Sequence, residues 1–311
     1  MNASTHTKSL ISRFSEKRPI RAGSFIITLY GDAILPRNGD VWMGDIIAFC
    51  NEVGISESLV RTAVSRLVSS NRITGSKIGR KSYYKLSDRS RTEFHHAASI
   101  IYSSPKLEND LWTCVLNLST VNREDLKRKM ERIGFGDPIH GLFMKPGDCQ
   151  NALYYVFGDS LKDYAGVTFT ANLDMITDQL DDLSHLTKGW NLDDLTEQYQ
   201  SFIDQFSTIH TCLPFGDSLS DLEQLILRQI LVHEYRRIIF KDPRLPAYLL
   251  PNDWIGYKAY DLFADLYRAL IQKSENYINH YFENAQDTLS PNEPVMNLRM
   301  NMLKPIQQVT A

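Results

Sequence analysis

Apolar residues recur at helical spacing in three successive stretches near the start of the chain. From Ser24 to Leu35, the positions Phe25, Ile26, Leu29 and Ile34 predict a helix with one buried face. Asn38-Gly39-Asp40 is a turn, after which Trp42, Met43, Ile46, Ile47, Phe49, Cys50 and Val53 repeat at intervals near three and four. Gly54 suits the left-handed residue that ends a helix, and Ser56 is placed to cap the next one. That third helix, Glu57 to Ser70, carries Leu59, Val60, Ala63, Val64, Leu67 and Val68 as one apolar stripe. Its opposite face holds Ser58, Arg61, Thr62, Ser65, Arg66 and Ser69, with no acid among them. The period then changes to two. Arg72–Lys77 and Ser82–Leu86 read as strands around the turn Ile78-Gly79-Arg80-Lys81, with Tyr84 and Leu86 inward and Tyr83 and Lys85 outward.

Asp88 to Tyr102 is a connecting helix, and Ser103-Ser104-Pro105 marks a boundary. Strands are expected at Leu111–Leu118, Ile139–Met144 and Gly166–Leu173, with helices at Asn122–Ile133 and Cys149–Phe157 between them. This alternation suggests a small α+β sandwich. From Asp178 onward the spacing is helical, over Leu195–Ile209, Leu219–Ile239 and Tyr257–Tyr281, with Pro243, Pro246 and Pro251 punctuating the last link. The acids Asp178, Asp181, Asp182, Asp193 and Asp194 read as ordinary surface and helix N-terminal residues.

Composition places the 311 residues among folded multidomain proteins, 43% hydrophobic and 23% charged. No run of about 18 apolar residues occurs, and the first residues lack the apolar stretch of a signal peptide, so a cytoplasmic protein is expected. Cys50, Cys114, Cys149 and Cys212 are far apart, which signals reduced thiols and neither a zinc site nor a disulfide framework. The net charge of −3 argues against a nucleic-acid partner, but its distribution argues for one. Residues 1–94 carry 15 Lys/Arg against 8 Asp/Glu, and the remainder carry 19 against 29. A basic module meeting a polyanion, joined to an acidic module, fits that split.

The chemistry follows from where the cations stand. Hydroxyls and guanidiniums on one helix face suit phosphates and base edges in a major groove. Ser58, Arg61, Thr62, Ser65 and Arg66 are therefore candidate DNA contacts from the helix, and Lys77, Arg80, Lys81 and Tyr83 from the hairpin. A basic hairpin directly after such a helix is the wing of a winged helix-turn-helix, although basic edges also serve to block sheet aggregation. In the C-terminal part His233, Arg236 and Arg237 share a helix face and, with Trp254, form a candidate ligand wall. A structural network tying that helix to Asp242 or Asp253 explains the same residues. No nucleophile–base pair and no metal-ligand spacing are present, so no catalytic residue, metal or cofactor is expected.

Several of these stretches resemble the PaaX family, repressors of bacterial phenylacetic acid degradation operons. Ser24-Phe25-Ile26-Ile27-Thr28-Leu29-Tyr30-Gly31-Asp32, Val41-Trp42-Met43-Gly44, Val60-Arg61-Thr62-Ala63-Val64-Ser65-Arg66-Leu67 and Ile78 to Ser87 carry the N-terminal resemblance. His233-Glu234-Tyr235-Arg236-Arg237, Lys241-Asp242-Pro243, Leu245-Pro246 and Leu249 to Gly256 carry the second. The resemblance implies a homodimer that binds a palindromic DNA operator and is released by an aryl-CoA thioester, phenylacetyl-CoA in the founding members. It also implies a ferredoxin-like domain in the middle, similar to a CRISPR-associated endonuclease. That endonuclease has a metal-binding Asp at the end of its first strand, where Asn117 and Ser119 stand here, so nuclease activity is not expected. An acyl-CoA-handling enzyme and an effector-free architectural DNA-binding protein remain as alternatives.

The expected fold is thus α+β and multidomain. It consists of an arm over 1–19, a winged helix-turn-helix over 20–88, a connecting helix over 89–105 and a ferredoxin-like domain over 106–175. A helical effector and dimerisation domain over 176–285 and a disordered tail over 286–311 follow.

Overall fold

The computed structural model describes residues 3–16, 22–37, 39–105, 111–118, 122–158, 163–164, 166–172, 184–213, 219–285, 289 and 292–306. Asn38, Ser119, Leu173, Asp178, Asp181 and Asp182, named above, lie outside the described residues. The contacts group the chain into two compact units, each built from separated stretches. The first comprises Met1–Ser103, Phe202–Arg236 and Asp261–Pro305, and the second Ser104–Ser201, Arg237–Tyr260 and Ile306–Ala311. The sequential division expected above differs, because Phe202–Arg236 and Asp261–Pro305 group with Met1–Ser103.

In the first unit the expected arm is a helix, α1 (Ala3–Glu16), that buries Thr7, Leu10 and Phe14. It rests on α10 (Asp221–Ile239), where Ser4 Oγ donates to Glu223 and the Phe14 ring meets His233 edge-on. α2 (Ala22–Leu29) continues into a wider π turn at Tyr30–Ile34 and a 3-10 turn at Leu35–Arg37. The change of winding coincides with Asp32, which is 1% exposed. Its carboxylate meets Arg228 Nε at 2.8 Å and Arg299 at 3.3 Å, and accepts from the hydroxyls of Tyr102 (2.7 Å) and Tyr267 (2.9 Å). Burial pushes this carboxyl up, but the two guanidiniums and two hydroxyls hold it below its ordinary value. Arg228 also binds Glu275 at 2.6 Å, and Glu275 in turn holds Arg37.

Arg299 belongs to α12 (Glu293–Met302), inside the segment expected to be disordered. Asn292 caps this helix, its side chain accepting from Val295 N, and Met296, Arg299 and Leu303 anchor it along one buried edge. α5 (Asp88–Tyr102) forms where expected, capped by Ser87 accepting from Ser90 N at 3.2 Å. α9 (Leu192–Cys212) and α11 (Ile255–Tyr281) likewise match their predicted stretches and contribute residues to both units.

The second unit holds a four-stranded antiparallel sheet in the chain order β4 (Leu111–Asn117), α6 (Arg123–Glu131), β5 (Gly136–Ile139), β6 (Leu142–Pro146), α7 (Gln150–Phe157) and β7 (Gly166–Asn172). The strands lie in the order β5-β6-β4-β7. Where one strand was expected at Ile139–Met144 there is a hairpin, turned at Gly141 with φ +93°. One sheet face packs Val115 and Phe143 against Leu126, Met130, Leu153 and Phe157. The other packs Trp112, Cys114 and Met144 against Trp190, Leu245 and Leu249. The cations of α6 are largely matched by acids, Arg128 and Lys129 by Asp125 and Arg123 by Asp137. That pairing makes α6 a solvated charged face.

Candidate nucleic-acid interface

α3 (Met43–Glu52) and α4 (Glu57–Ser69) are joined by a four-residue turn whose geometry the sequence dictates. Gly54 sits at φ +78°, its N–H donating to Asn51 O at 3.0 Å while Ile55 N donates to Cys50 O at 3.0 Å. These two bonds form a Schellman ending, for which glycine carries no Cβ penalty. α4 ends in the same way. Asn71 takes φ +53°, donating to Val68 O at 2.9 Å, and Arg72 N donates to Leu67 O at 2.8 Å. Ser87 then donates through Oγ to Asn71 O at 2.7 Å and through N to Arg72 O at 3.1 Å. This fixes the following hairpin to the helix.

The hairpin is β2 (Ile73–Ile78) and β3 (Lys81–Leu86), with β1 (Val41–Trp42) added to the other side of β3. Val60, Ala63, Val64 and Leu67 bury the inner face of α4. The stripe is narrower than expected, since Leu59 and Val68 at its margins are 44% and 40% exposed. Ser56 occupies the cap position, but its hydroxyl lies 3.2 Å from the Ser58 hydroxyl and does not cap the helix.

Ser58, Arg61, Thr62, Ser65 and Arg66 are all exposed, as are Lys77 and Arg80 at the hairpin. Arg61 is bound by Glu57 one turn earlier at 2.7 Å, so the start of this face does contain an acid. Thr62 donates its hydroxyl to Ser58 O at 2.8 Å, leaving its oxygen lone pairs outward. Arg66, Lys77 and Arg80 have no ion-pair partner among the described residues. The outcome is a strip of exposed guanidinium, ammonium and hydroxyl groups spread over two adjoining elements.

Two expected members of this surface are placed differently. Tyr83 is 7% exposed, not outward, with Trp42 of β1 directly opposite it in the sheet. Lys81 forms an ion pair with Glu283, and its ammonium lies 4.4 Å over the Trp42 ring. Nothing in the sequence connects Glu283 to Lys81 across the intervening chain.

The expected ligand wall is not a wall. His233 is buried with Nδ1 3.0 Å from Thr28 Oγ1, and Arg236 donates to Ser24 O at 2.8 Å and Ser24 Oγ at 2.6 Å. These residues fasten α10 to α2, so the structural explanation holds with Ser24 and Thr28 as partners in place of Asp242 or Asp253. Arg237 is exposed, and Trp254 is buried against Tyr199 at 6.1 Å in the second unit. Asp242 instead accepts from the Tyr199 hydroxyl at 2.6 Å and Arg244 N at 2.7 Å.

No helix among the described residues is long and apolar enough to cross a membrane. Residues 21–90 match the family model for PaaX-like protein, and residues 190–280 that for the PaaX-like protein C-terminal domain. Transcriptional repressor PaaX of Escherichia coli (strain K12) is 30% identical over 259 residues, covering 80% of each chain. A solved structure of an uncharacterized protein from Mycobacterium tuberculosis, 19% identical, aligns over 81% of this chain and 96% of its own with a TM-score of 0.49. The first matched region holds the helix pair and hairpin just described, the second holds α9, α10 and all but the last residue of α11, and the chain belongs to the PaaX family.

Proposed function

We propose that this protein is a DNA-binding transcriptional repressor in which α3, α4 and the β2–β3 hairpin act as a winged helix-turn-helix. The observation that carries this reading is the exposed strip on α4 and the hairpin, where Arg66, Lys77 and Arg80 face solvent without acid partners among the described residues. α4 enters a major groove with Ser58, Arg61, Thr62, Ser65 and Arg66 facing base edges and phosphates. Lys77 and Arg80 reach the adjoining backbone or minor groove. Glu57 leaves Arg61 when a phosphate or guanine offers a better acceptor. The repressor name of the Escherichia coli relative supports this role.

The family's biology supplies the finer reading. The protein is a cytoplasmic homodimer on a palindromic operator of an aromatic-acid catabolic operon, released by an aryl-CoA thioester such as phenylacetyl-CoA. The βαββαβ order of the second unit supports a ferredoxin-like domain. Catalysis has no part in this reading.

Fluorescence anisotropy on duplex DNA across a salt series tests the core of it. Arg80→Ala should weaken binding to all sequences alike and lower the salt slope by about one. Arg66→Ala should cost about 1–3 kcal/mol and relax preference at one base position if it reads an edge. Unchanged binding in both variants would overturn the assignment. Saturating phenylacetyl-CoA, at about 100 times its Kd, should stabilise the protein by roughly 2.7 kcal/mol.

A further inference from the structure

The segment that follows α11 runs back along the stretch joining α2 to α3. Trp42 N donates to Glu283 O at 3.0 Å, and Glu283 N donates to Asp45 Oδ2 at 2.8 Å. Ala285 N donates to Asp40 Oδ1 at 2.9 Å, and Arg37 Nε to Leu289 O at 3.0 Å. Asn292 N donates to Pro36 O at 2.9 Å, and Arg299 donates to Asp32 O at 2.6 Å and Gly31 O at 3.1 Å. Positions fall from 45 to 31 on one side as they rise from 283 to 299 on the other. The described residues of this C-terminal segment therefore form an antiparallel strap along the stretch that leads into the helix pair.

At its upper end the strap reaches the hairpin. Glu283 is held through its backbone by Trp42 and Asp45, and its carboxylate takes the Lys81 ammonium. This pair differs from the buried ion pairs lower down. The Lys81 and Glu283 side chains are 42% and 47% exposed, whereas those of Arg37 and Glu275 are 0% and 12% exposed. Exposed pairs contribute little, so a competing anion displaces one partner readily. Lys81 also directly follows Arg80, whose guanidinium has no partner among the described residues.

We infer that Glu283 is a positioning residue of the DNA-reading surface: the strap carries a carboxylate that occupies the hairpin's Lys81 in place of a phosphate. The inference rests on the DNA-binding reading above. When DNA arrives, Lys81 exchanges one anionic partner for another, and the Glu283 carboxylate is left in water beside the phosphate chain. The lost ion pair opposes binding. The strap thus sets how much of its cationic charge the hairpin offers, and it does so from a segment more than 200 positions away in the chain.

The full-length protein and three variants, Glu283→Gln, Lys81→Ala and the double variant, test this by anisotropy on a fluorescent mixed-sequence duplex of about 30 base pairs, between about 50 and 200 mM salt. Glu283→Gln keeps both backbone hydrogen bonds of residue 283. It should bind up to about fivefold more tightly at the lower salt, with a salt slope steeper by about one. In the Lys81→Ala background the same substitution should change neither quantity, because the coupling is then absent. Wild-type protein that binds while Glu283→Gln binds identically overturns the inference and leaves the DNA-binding reading intact. So does a gain that survives in the double variant, which would mark a general charge effect. A wild-type protein with no salt-dependent affinity for duplex DNA overturns both.

Discussion

Replacing Arg299 by Met should destabilise the first unit by about 3 kcal/mol, although the residue lies near the end of the chain. The guanidinium is 2% exposed and donates to Asp32 O at 2.6 Å, Gly31 O at 3.1 Å and the Tyr267 hydroxyl at 3.2 Å. It also lies 4.4 Å over the Tyr102 ring. Met fills the volume but leaves two backbone carbonyls without these donors, and an unmet buried acceptor costs about 1–3 kcal/mol. Breaking a buried ion pair costs about 3–5 kcal/mol. Here the lower end applies, because the Asp32 carboxylate keeps Arg228 at 2.8 Å and the hydroxyls of Tyr102 and Tyr267. Asp32→Asn should be worse, about 5 kcal/mol, since both Arg228 and Arg299 would lose the Asp32 carboxylate, and Arg228 would keep only Glu275, which it shares with Arg37. Calorimetry is the assay, because it separates the transitions of two units that need not melt together. For a unit of this size Arg299→Met should lower its transition by about 6–12 °C. A change within about 0.5 kcal/mol of wild type, or Asp32→Asn milder than Arg299→Met, would refute the reasoning.

Three further outcomes follow from the same geometry. Gly54→Ala places a Cβ 2.7 Å from Ser15 Cβ at a residue with φ +78°, so it should cost about 2 kcal/mol in a urea titration and weaken DNA binding. Asp45 is pushed up to about 6, first by burial and then by Glu283, against the pull of the Glu283 N–H. Its raised pKa means that the folded state holds a proton the unfolded state has released between about pH 4 and 6. Stability should therefore fall as pH rises through that window, by under about 1 kcal/mol given its partial exposure, and Asp45→Asn should flatten that part of a melting-temperature profile. Ser24→Ala removes one acceptor of Arg236 and should cost about 1 kcal/mol without altering the salt slope of DNA binding, separating the α10 fastener from the reading surface.

The helices were legible because their apolar spacing is local. α5 was found at its observed bounds, and α4, α9, α10 and α11 within a few residues, from side chains that repeat on one face. The hairpin was equally readable, since Gly79 separates two alternating runs. One residue of β3 was not: Leu86 is buried and Lys85 exposed as the alternation predicts, but Tyr83 is also buried, opposite Trp42 of β1, and a two-residue strand carries no periodicity to announce it. The turn at Gly141 was missed because Ile139 to Met144 reads as one apolar run that the backbone interrupts. Within the candidate site, the exposed cations of α4 and the hairpin were visible as an acid-free face, whereas Glu57 and Glu283 were not seen to occupy two of them. The cluster around His233 was conspicuous for its polarity, yet its partners Ser24 and Thr28 lie two hundred positions earlier. Polarity within an apolar helix marks a buried contact, and by itself does not say with whom.

The Asp32 cluster also orders events in time. Asp32 and Arg299 are 267 positions apart, and chain synthesis at about 5–20 residues per second separates their appearance by roughly 13–53 s. Until Arg228 is made, 196 positions after Asp32, the carboxylate at position 32 has neither of its guanidinium partners to meet, and Arg299 comes later still. A ribosome that stops early therefore releases an N-terminal fragment with its reading surface encoded but its foundation missing. Such a fragment would be open to proteolysis, and a cell would be spared an incomplete protein competing for the same DNA.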